Sequence, residues 1–109
     1  MEKFVPVITK QYSRKVNIED IVYIQQQQRR LAIVTDDETF LCYERMDNIM
    51  DNLDERFFRV MKKLTINLDK VLMAKEQHLF FENGMSVYLG KENYVKAKQK
   101  FAGYLRNLE

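Results

Sequence analysis

The stretch FFRVMKKLTIN, residues 57–67, decides how the rest of the chain is read. Phe57, Val60, Leu64 and Ile66 call for apolar surroundings, as in a buried strand, yet Lys62 and Lys63 stand among them with Arg59 just before. Lysine is almost never fully buried without a partner. Either the two lysines are a surface accident in a strand, or their apolar neighbours anchor a segment whose cations serve a site.

Working outward, the flanking segments are short and rich in β-branched and aromatic residues. FVPVIT (4–9) and KVNI (15–18) read as strands, and Pro6 places the first at a sheet edge because it offers no amide hydrogen. IVYIQ (21–25) and LAIVT (31–35) are stronger, with the polar run QQQQRR (25–30) between them as a loop. TFLCY (39–43) follows the polar turn TDDE and forms a hairpin with LAIVT. VLMAKE (71–76), HLFFE (78–82) and MSVYL (85–89) are again strand-like. Asn83 and Gly84 between the last two predict a type I′ hairpin turn with positive φ at both central residues.

Two segments carry a helical period instead. In ERMDNIMDNLDE (44–55), Met46, Ile49, Met50 and Leu53 recur as one apolar stripe opposite an acidic face. KENYVKAKQKFAGYLRNLE (91–109) predicts a closing helix with Tyr94, Ala97, Phe101 and Leu105 on one side and Lys96, Lys98 and Lys100 off that stripe. No internal repeat is visible beyond the glutamine run. Strands do not alternate with helices, which disfavours a parallel sheet of βαβ units. The fold class expected is mainly β: an elongated antiparallel β-sheet domain with one short acidic helix and a C-terminal helix.

The 109 residues suit one domain, 1–109, and 46% hydrophobic with 31% charged residues is an ordinary globular composition. The longest apolar runs, IVYI and LAIV, fall far short of the roughly 20 residues that a membrane helix needs. The N-terminal residues have neither an apolar h-region nor a cleavage signature. A cytoplasmic protein without membrane association is the expectation. Cys42 is the only cysteine, which excludes an internal disulfide and reads as a small core residue. The net charge of +2 hides a segregation: residues 36–55 hold eight acids against Arg45, residues 56–63 hold four cations and no acid, and residues 91–106 hold five cations against Glu92. That spacing gives a nearly neutral chain one acidic and one basic face.

Catalytic chemistry finds few residues to use. His78 is the only histidine and has no partner for a metal site. If Leu79 and Phe81 face the core, strand alternation turns His78 and Phe80 the other way. No GxSxG is present, Ser13 and Ser86 have no identifiable base, and Cys42 has no neighbouring cation to hold a thiolate. Gly84, Gly90 and Gly103 are too scattered to build a phosphate loop. No enzyme activity, metal or cofactor is expected. Binding chemistry is better supplied, because long polar donors gather at three places: Gln25 to Arg30, Lys62 with Lys63, and Lys91 after the last strand. Arginine suits guanine edges, glutamine adenine edges and lysine phosphates, the inventory of DNA recognition.

The order of these features carries more than any one of them. IEDIVYIQ (18–25), a polar loop, RLAIVT (30–35), ETFLCYERMDNIMDNL (38–53), FFRVMKKLTINLDKV (57–71), an Asn-Gly hairpin and a basic helix follow one another. This succession resembles the LytTR family of bacterial DNA-binding domains, over about residues 15 to 105. The pieces that carry it are I-x-D-I-x-Y-I at 18–24 and F-x-R-V-x6-N-L-D-x-V at 57–71. The resemblance implies an elongated β fold that meets DNA through loops and not through a helix in the groove. It implies contacts from Gln28 and Arg29 in the first loop, Lys62 and Lys63 in the second, and Lys91 in the third; Arg30 joins them as a neighbouring cation. Family members often have His-Arg-Ser or His-Asn-Ser where this chain has Met61, Lys62 and Lys63, and Ser-Arg or Val-Arg where it has Gly90 and Lys91. Lysine keeps the charge but not the bidentate fork of arginine.

The function expected is sequence-preferring binding of double-stranded DNA in transcription regulation, as the output domain of a response regulator or alone. Partners implied by the resemblance are the duplex, a second copy on an adjacent half-site, and a receiver domain or other regulator. The competing reading is a protein-interaction module that uses the acidic helix at 44–55 or a sheet edge at FVPVIT.

Overall fold

The computed structural model describes residues 3–108; Met1, Glu2 and Glu109, which the single-domain and closing-helix readings included, lie outside the described residues. Strands β1 (Phe4–Ile8) and β2 (Ser13–Asn17) form a hairpin by themselves, with Pro6 on β1 as expected of an edge. A five-stranded antiparallel sheet follows, built from β3 (Ile21–Gln27), β4 (Arg30–Thr35), β5 (Thr39–Tyr43), β6 (Phe57–Met61) and β7 (Leu64–Asn67) in the order β5-β4-β3-β7-β6. β8 (Val71–Lys75), β9 (His78–Phe81) and β10 (Ser86–Tyr88) make a three-stranded meander. The principal extents are 40 × 31 × 24 Å, and the mainly antiparallel β class expected from the sequence holds.

The large sheet is buried on both faces at its centre. On one side Ile24, Ile33 and Leu31 join Val5, Val7, Ile18 and Met46 in a core under the first hairpin. On the other, Val60, Leu64 and Ile66 join Leu79, Phe81, Ala97 and Phe101 under the small sheet and the last helix. Each fully buried aliphatic side chain contributes roughly 1.5–3 kcal/mol relative to exposure. His78 and Phe80 face away from Leu79 and Phe81, as alternation requires.

The opening stretch is a hairpin. β6 and β7 pair from Phe57 with Asn67 to Met61 with Leu64, and Lys62 and Lys63 form the two-residue turn between them. No Gly, Asn or Asp marks this turn, so the apolar run looked continuous. Neither lysine has a positive φ; a register shift between Arg59 and Met61 accompanies the turn and leaves Val60 as the extra, buried residue.

The one type I′ turn expected from the sequence forms at a different place. At Asn83 and Gly84 only Gly84 has positive φ, at 93°, so the type I′ turn is not formed there. The Gly84 amide donates to the Phe81 carbonyl, and the Asn83 side chain accepts from the Met85 amide, giving a wider loop closed by left-handed glycine. Glu76 and Gln77, between β8 and β9, instead take φ of 52° and 64°, the left-handed pair of a type I′ turn.

The acidic helix is shorter than its stripe. α1 spans Met46–Ile49 and tightens into a 3-10 turn at Met50–Asn52, after which Leu53 is extended. Met46, Ile49 and Leu53 are buried and Met50 packs against them, so the stripe is core. α2 runs Lys91–Asn107 and buries Ala97 and Phe101 with Tyr94 and Tyr104 beside them. Leu105, expected on that side, is 47% exposed; Tyr104, one residue earlier, takes its place.

The Tyr104 hydroxyl donates to Asp69 Oδ1 at 3.0 Å, and burial first, with that bond to a carboxylate second, pushes its pKa up to about 12. The folded state thus holds this proton more tightly than the unfolded chain does. The resulting stabilisation is complete below pH 10 and disappears as pH rises towards 12. In urea unfolding at a series of alkaline pH values, Tyr104→Phe is expected to show a flatter decline than the unaltered protein across this window. Equal declines would remove Tyr104 as the cause.

The two halves of the chain repeat one plan that residue patterns did not display. β1 and β2, a 3-10 turn at Ile18–Asp20, and the meander β3 to β5 correspond to β6 and β7, a 3-10 turn at Leu68–Lys70, and the meander β8 to β10. Each half then enters a helix. Asn17 and Asn67 precede the 3-10 turns, and each following strand has a register shift after its first residue, at Val22 and Leu72. The sequence hides this because the likeness is short and scattered, clearest in Asn17-Ile18-Glu19 against Asn67-Leu68-Asp69 and in Phe4 against Phe57.

Candidate nucleic-acid interface

Two short turns meet at one end of the large sheet. Gln28 and Arg29 join β3 to β4, and Lys62 and Lys63 join β6 to β7. β3 lies beside β7, pairing Gln25 with Leu64, and the Gln26 amide extends the ladder by donating to the Lys63 carbonyl at 2.8 Å. All four turn side chains are exposed. Gln28 has φ 58°, so the turn relies on a left-handed residue that is not glycine.

Between the turns is an open groove of 660 Å³. Its lining includes five cations, Arg29, Arg45, Arg59, Lys62 and Lys63, against two carboxylates, Glu44 and Asp47. One carboxylate is already matched: Arg59 Nη1 donates to Asp47 Oδ1 at 2.6 Å, and this bond holds the Asp47 carboxyl below its ordinary range. Through Nε and Nη2 the same guanidinium donates to the Lys62 carbonyl, at 3.2 and 2.8 Å. Arg59 therefore braces the lysine turn from behind.

Gln26 has the corresponding role for the whole site. Its Nε2 lies 3.0 Å from the carbonyl oxygens of Gln28, Arg30 and Glu44, and its Oε1 accepts from the Met46 amide at 2.8 Å. One half-buried side chain thus links the first turn, the start of β4, the end of β5 and the start of α1. Sequence reasoning placed this glutamine in a loop as a free donor. Residues 25–27 and Arg30 are strand residues, and the loop shrinks to Gln28 and Arg29. No signal in the chain distinguishes Gln26 from its three neighbours except the period of two, which turns it inward with Ile24.

Arg30 stands at the rim, the cross-strand partner of Tyr43. With Gln27, Gln28, Arg29 and Tyr43 it lines a second groove of 480 Å³ that has no carboxylate. Lys91 is the first residue of α2, and Gly90 is the N-cap. It does not line the main groove, but Asn93 Nδ2, one helical position beyond Glu92, is 3.7 Å from Met61 Sδ. The α2 N-terminus thus adjoins the strand that ends in the lysine turn. Unpaired amides and the helix dipole add positive potential there.

The remaining candidates lie elsewhere. Cys42 is buried and burial, with Glu44 second, raises its thiol pKa, the behaviour of a core residue. Among the described residues there is no group of three or more His, Cys, Asp or Glu side chains placed to hold a metal, and no helix long and apolar enough to cross a membrane.

With this geometry in view, comparison with known proteins is decisive for the family. The model of the LytTr DNA-binding domain matches residues 12–102. No curated protein matches the chain. Among solved structures, the chain is similar to the LytTr DNA-binding domain of a protein from Bacillus cereus described as a methyl-accepting/DNA response regulator. The identity is 15%, with a TM-score of 0.73 over 94% of this chain and 99% of that one, which is a likeness of fold. Since the family match covers most of its residues, the chain belongs to the LytTR family of DNA-binding domains.

Proposed function

We propose that the domain binds double-stranded DNA with a sequence preference, as the output element of a bacterial transcription regulator acting in the cytoplasm. Gln28 and Arg29 reach into the duplex from the first turn, Lys62 and Lys63 from the second, and Arg30 and Lys91 hold flanking phosphates. The observation that carries this reading is the meeting of the two turns over one mainly cationic groove. Two-residue turns project side chains beyond the sheet end, so base edges come within reach while the sheet itself stays clear of the phosphates.

The inventory predicts the style of recognition. Lysines at the second turn act as point charges, so phosphate contacts supply affinity, and the glutamine and arginine of the first turn supply most of the base reading. A receiver domain or another regulator upstream, and a second copy on an adjacent half-site, fit the same reading. For the interaction-module alternative, Met46, Ile49 and Leu53 of the acidic segment are core, which leaves its acidic face with Asp47 and Asp51 as the exposed surface.

Selection of bound sites from random duplex DNA, followed by salt titration on the enriched site, tests the proposal. Enrichment of a defined sequence is expected, with log K falling against log salt at a slope on the order of −4 to −5. A complex indifferent to salt, or none with any duplex, would sink it.

A further inference from the structure

The repeated plan of the chain places the same kind of residue pair at the same position in each half. In the first meander Arg30 and Tyr43 are direct cross-strand partners beside the turn of Gln28 and Arg29. In the second, His78 and Tyr88 are direct partners beside the turn of Glu76 and Gln77. Each time a nitrogen-bearing side chain opens the second strand and a tyrosine closes the third. Both tyrosines are in solvent, Tyr43 at 79% and Tyr88 at 64% exposure.

Each also adjoins one of the DNA contacts proposed above. Tyr43 lines both grooves, as do Gln28 and Arg29, and Lys62 and Lys63 line the larger one with it. Tyr88 is held by His78, whose ring meets it edge-on at 5.3 Å, and by Gln77, whose Nε2 donates to its hydroxyl at 3.2 Å. Gln77 also accepts from the Leu89 amide, so the tyrosine is fixed just before Gly90 and Lys91. An uncharged ring beside cations is suited to a different part of the duplex from theirs. The cations take phosphates, while a rigid aromatic with two rotatable bonds presents an apolar edge to bases, the thymine methyl above all.

We infer that Tyr43 and Tyr88 are equivalent base-edge contacts, one from each half of the chain, that set sequence preference at two separate places in the bound duplex. The inference rests on the DNA-binding reading of this surface. It adds an edge strand, β5, and the small meander to an interface otherwise made of two turns, the first residue of β4 and a helix start.

The test compares Tyr43→Ala, Tyr88→Ala, the two phenylalanine variants and Lys62→Ala on the duplex enriched from the random pool and on an unrelated duplex. Each tyrosine-to-alanine change is expected to cost about tenfold on the enriched duplex, with the unrelated duplex bound as before and the salt slope unchanged. Repeating the site selection with each variant should relax preference at different base pairs for the two tyrosines, and phenylalanine should keep most of the preference. Lys62→Ala should instead weaken both duplexes and reduce the slope by about one unit. Affinities unchanged from the unaltered domain on both duplexes, equal losses on both, or a reduced slope would each overturn the inference and leave the DNA reading standing. Failure of the unaltered domain and of Lys62→Ala to bind any duplex would overturn the DNA reading, and this inference with it. Thermal unfolding of each variant separates loss of contact from loss of fold.

Discussion

Replacing Lys62 and Lys63 together by glutamate is expected to weaken duplex binding by about a hundredfold or more near 0.1 M salt, with the fold intact. Each lysine that neutralises a phosphate releases most of one counterion, which is about 1 kcal/mol at that salt concentration, and reversing the charge adds repulsion from the same phosphates. The salt slope should become shallower by about two units. Both side chains are exposed and, among the described residues, neither forms a salt bridge, so their removal costs the folded state little. What they give the fold is backbone: the Lys62 carbonyl accepts from Arg59 and the Lys63 carbonyl from Gln26, and both acceptors survive the change. Fluorescence anisotropy against a labelled duplex reads the affinity, and thermal unfolding reads the fold. Binding that persists within a few-fold would take the lysine turn off the DNA. The neutral pair Lys62→Gln with Lys63→Gln, about thirtyfold weaker by the same counterion reasoning, separates lost attraction from added repulsion.

Gln26→Ala is expected to lower the unfolding free energy by about 2 kcal/mol, because it leaves the Met46 amide and three carbonyls without their partner in a half-buried place. Water can recover part of this for the exposed carbonyls, but the Met46 amide opens a helix whose first residue is 2% exposed. The same change should weaken DNA binding by several-fold, since it releases the carbonyls of Gln28 and Arg30 that shape the first turn. Denaturant unfolding gives the first effect and anisotropy the second. Gln26→Glu sharpens the test: it keeps an acceptor for Met46 but turns a carboxylate towards three carbonyls, so it should be no better tolerated than alanine. A Gln26→Ala protein within about 0.5 kcal/mol of the unaltered one would show that this side chain organises nothing.

Strands were the most legible feature of the chain, because alternation of β-branched and aromatic residues with polar ones is imposed by the pleat itself. TFLCY became β5 without a shift of boundary. Turns were less legible. The lysine turn has none of the residues that left-handed turns demand, since its backbone needs no positive φ. Conversely, Glu76 and Gln77 adopt positive φ with side chains that do not announce it, and the Asn-Gly signal belongs to a different loop geometry. The acidic helix was read by its stripe, but periodicity says where apolar residues point and little about where hydrogen bonding stops. Leu105 and Tyr104 differ by only one residue on the helix wheel, and the larger ring with a hydroxyl that can reach Asp69 takes the inner place.

For the site, residue type revealed donors and concealed props. Gln25 to Gln28 are four identical letters with different tasks, and only pairing geometry separates Gln26, turned inward, from Gln28 at the turn. Arg59 was visible as a cation in the opening stretch, yet its partner Asp47 is twelve residues away and on another element. The resemblance carried over the projecting residues because their order along the chain is what a family motif preserves. It could not supply the bracing that makes them project.

The small size of the two turns has a further meaning for binding. A residue that must be frozen from a mobile loop on meeting a ligand costs about 1–2 kcal/mol of backbone entropy. Gln28, Arg29, Lys62 and Lys63 are already fixed by paired strands on both sides, and the bond from Gln26 to Lys63 couples one turn to the other. Conformational freedom in these turns therefore resides in the ends of long side chains and not in the backbone, so on the proposed reading a duplex would encounter two rigid prongs held at a set separation.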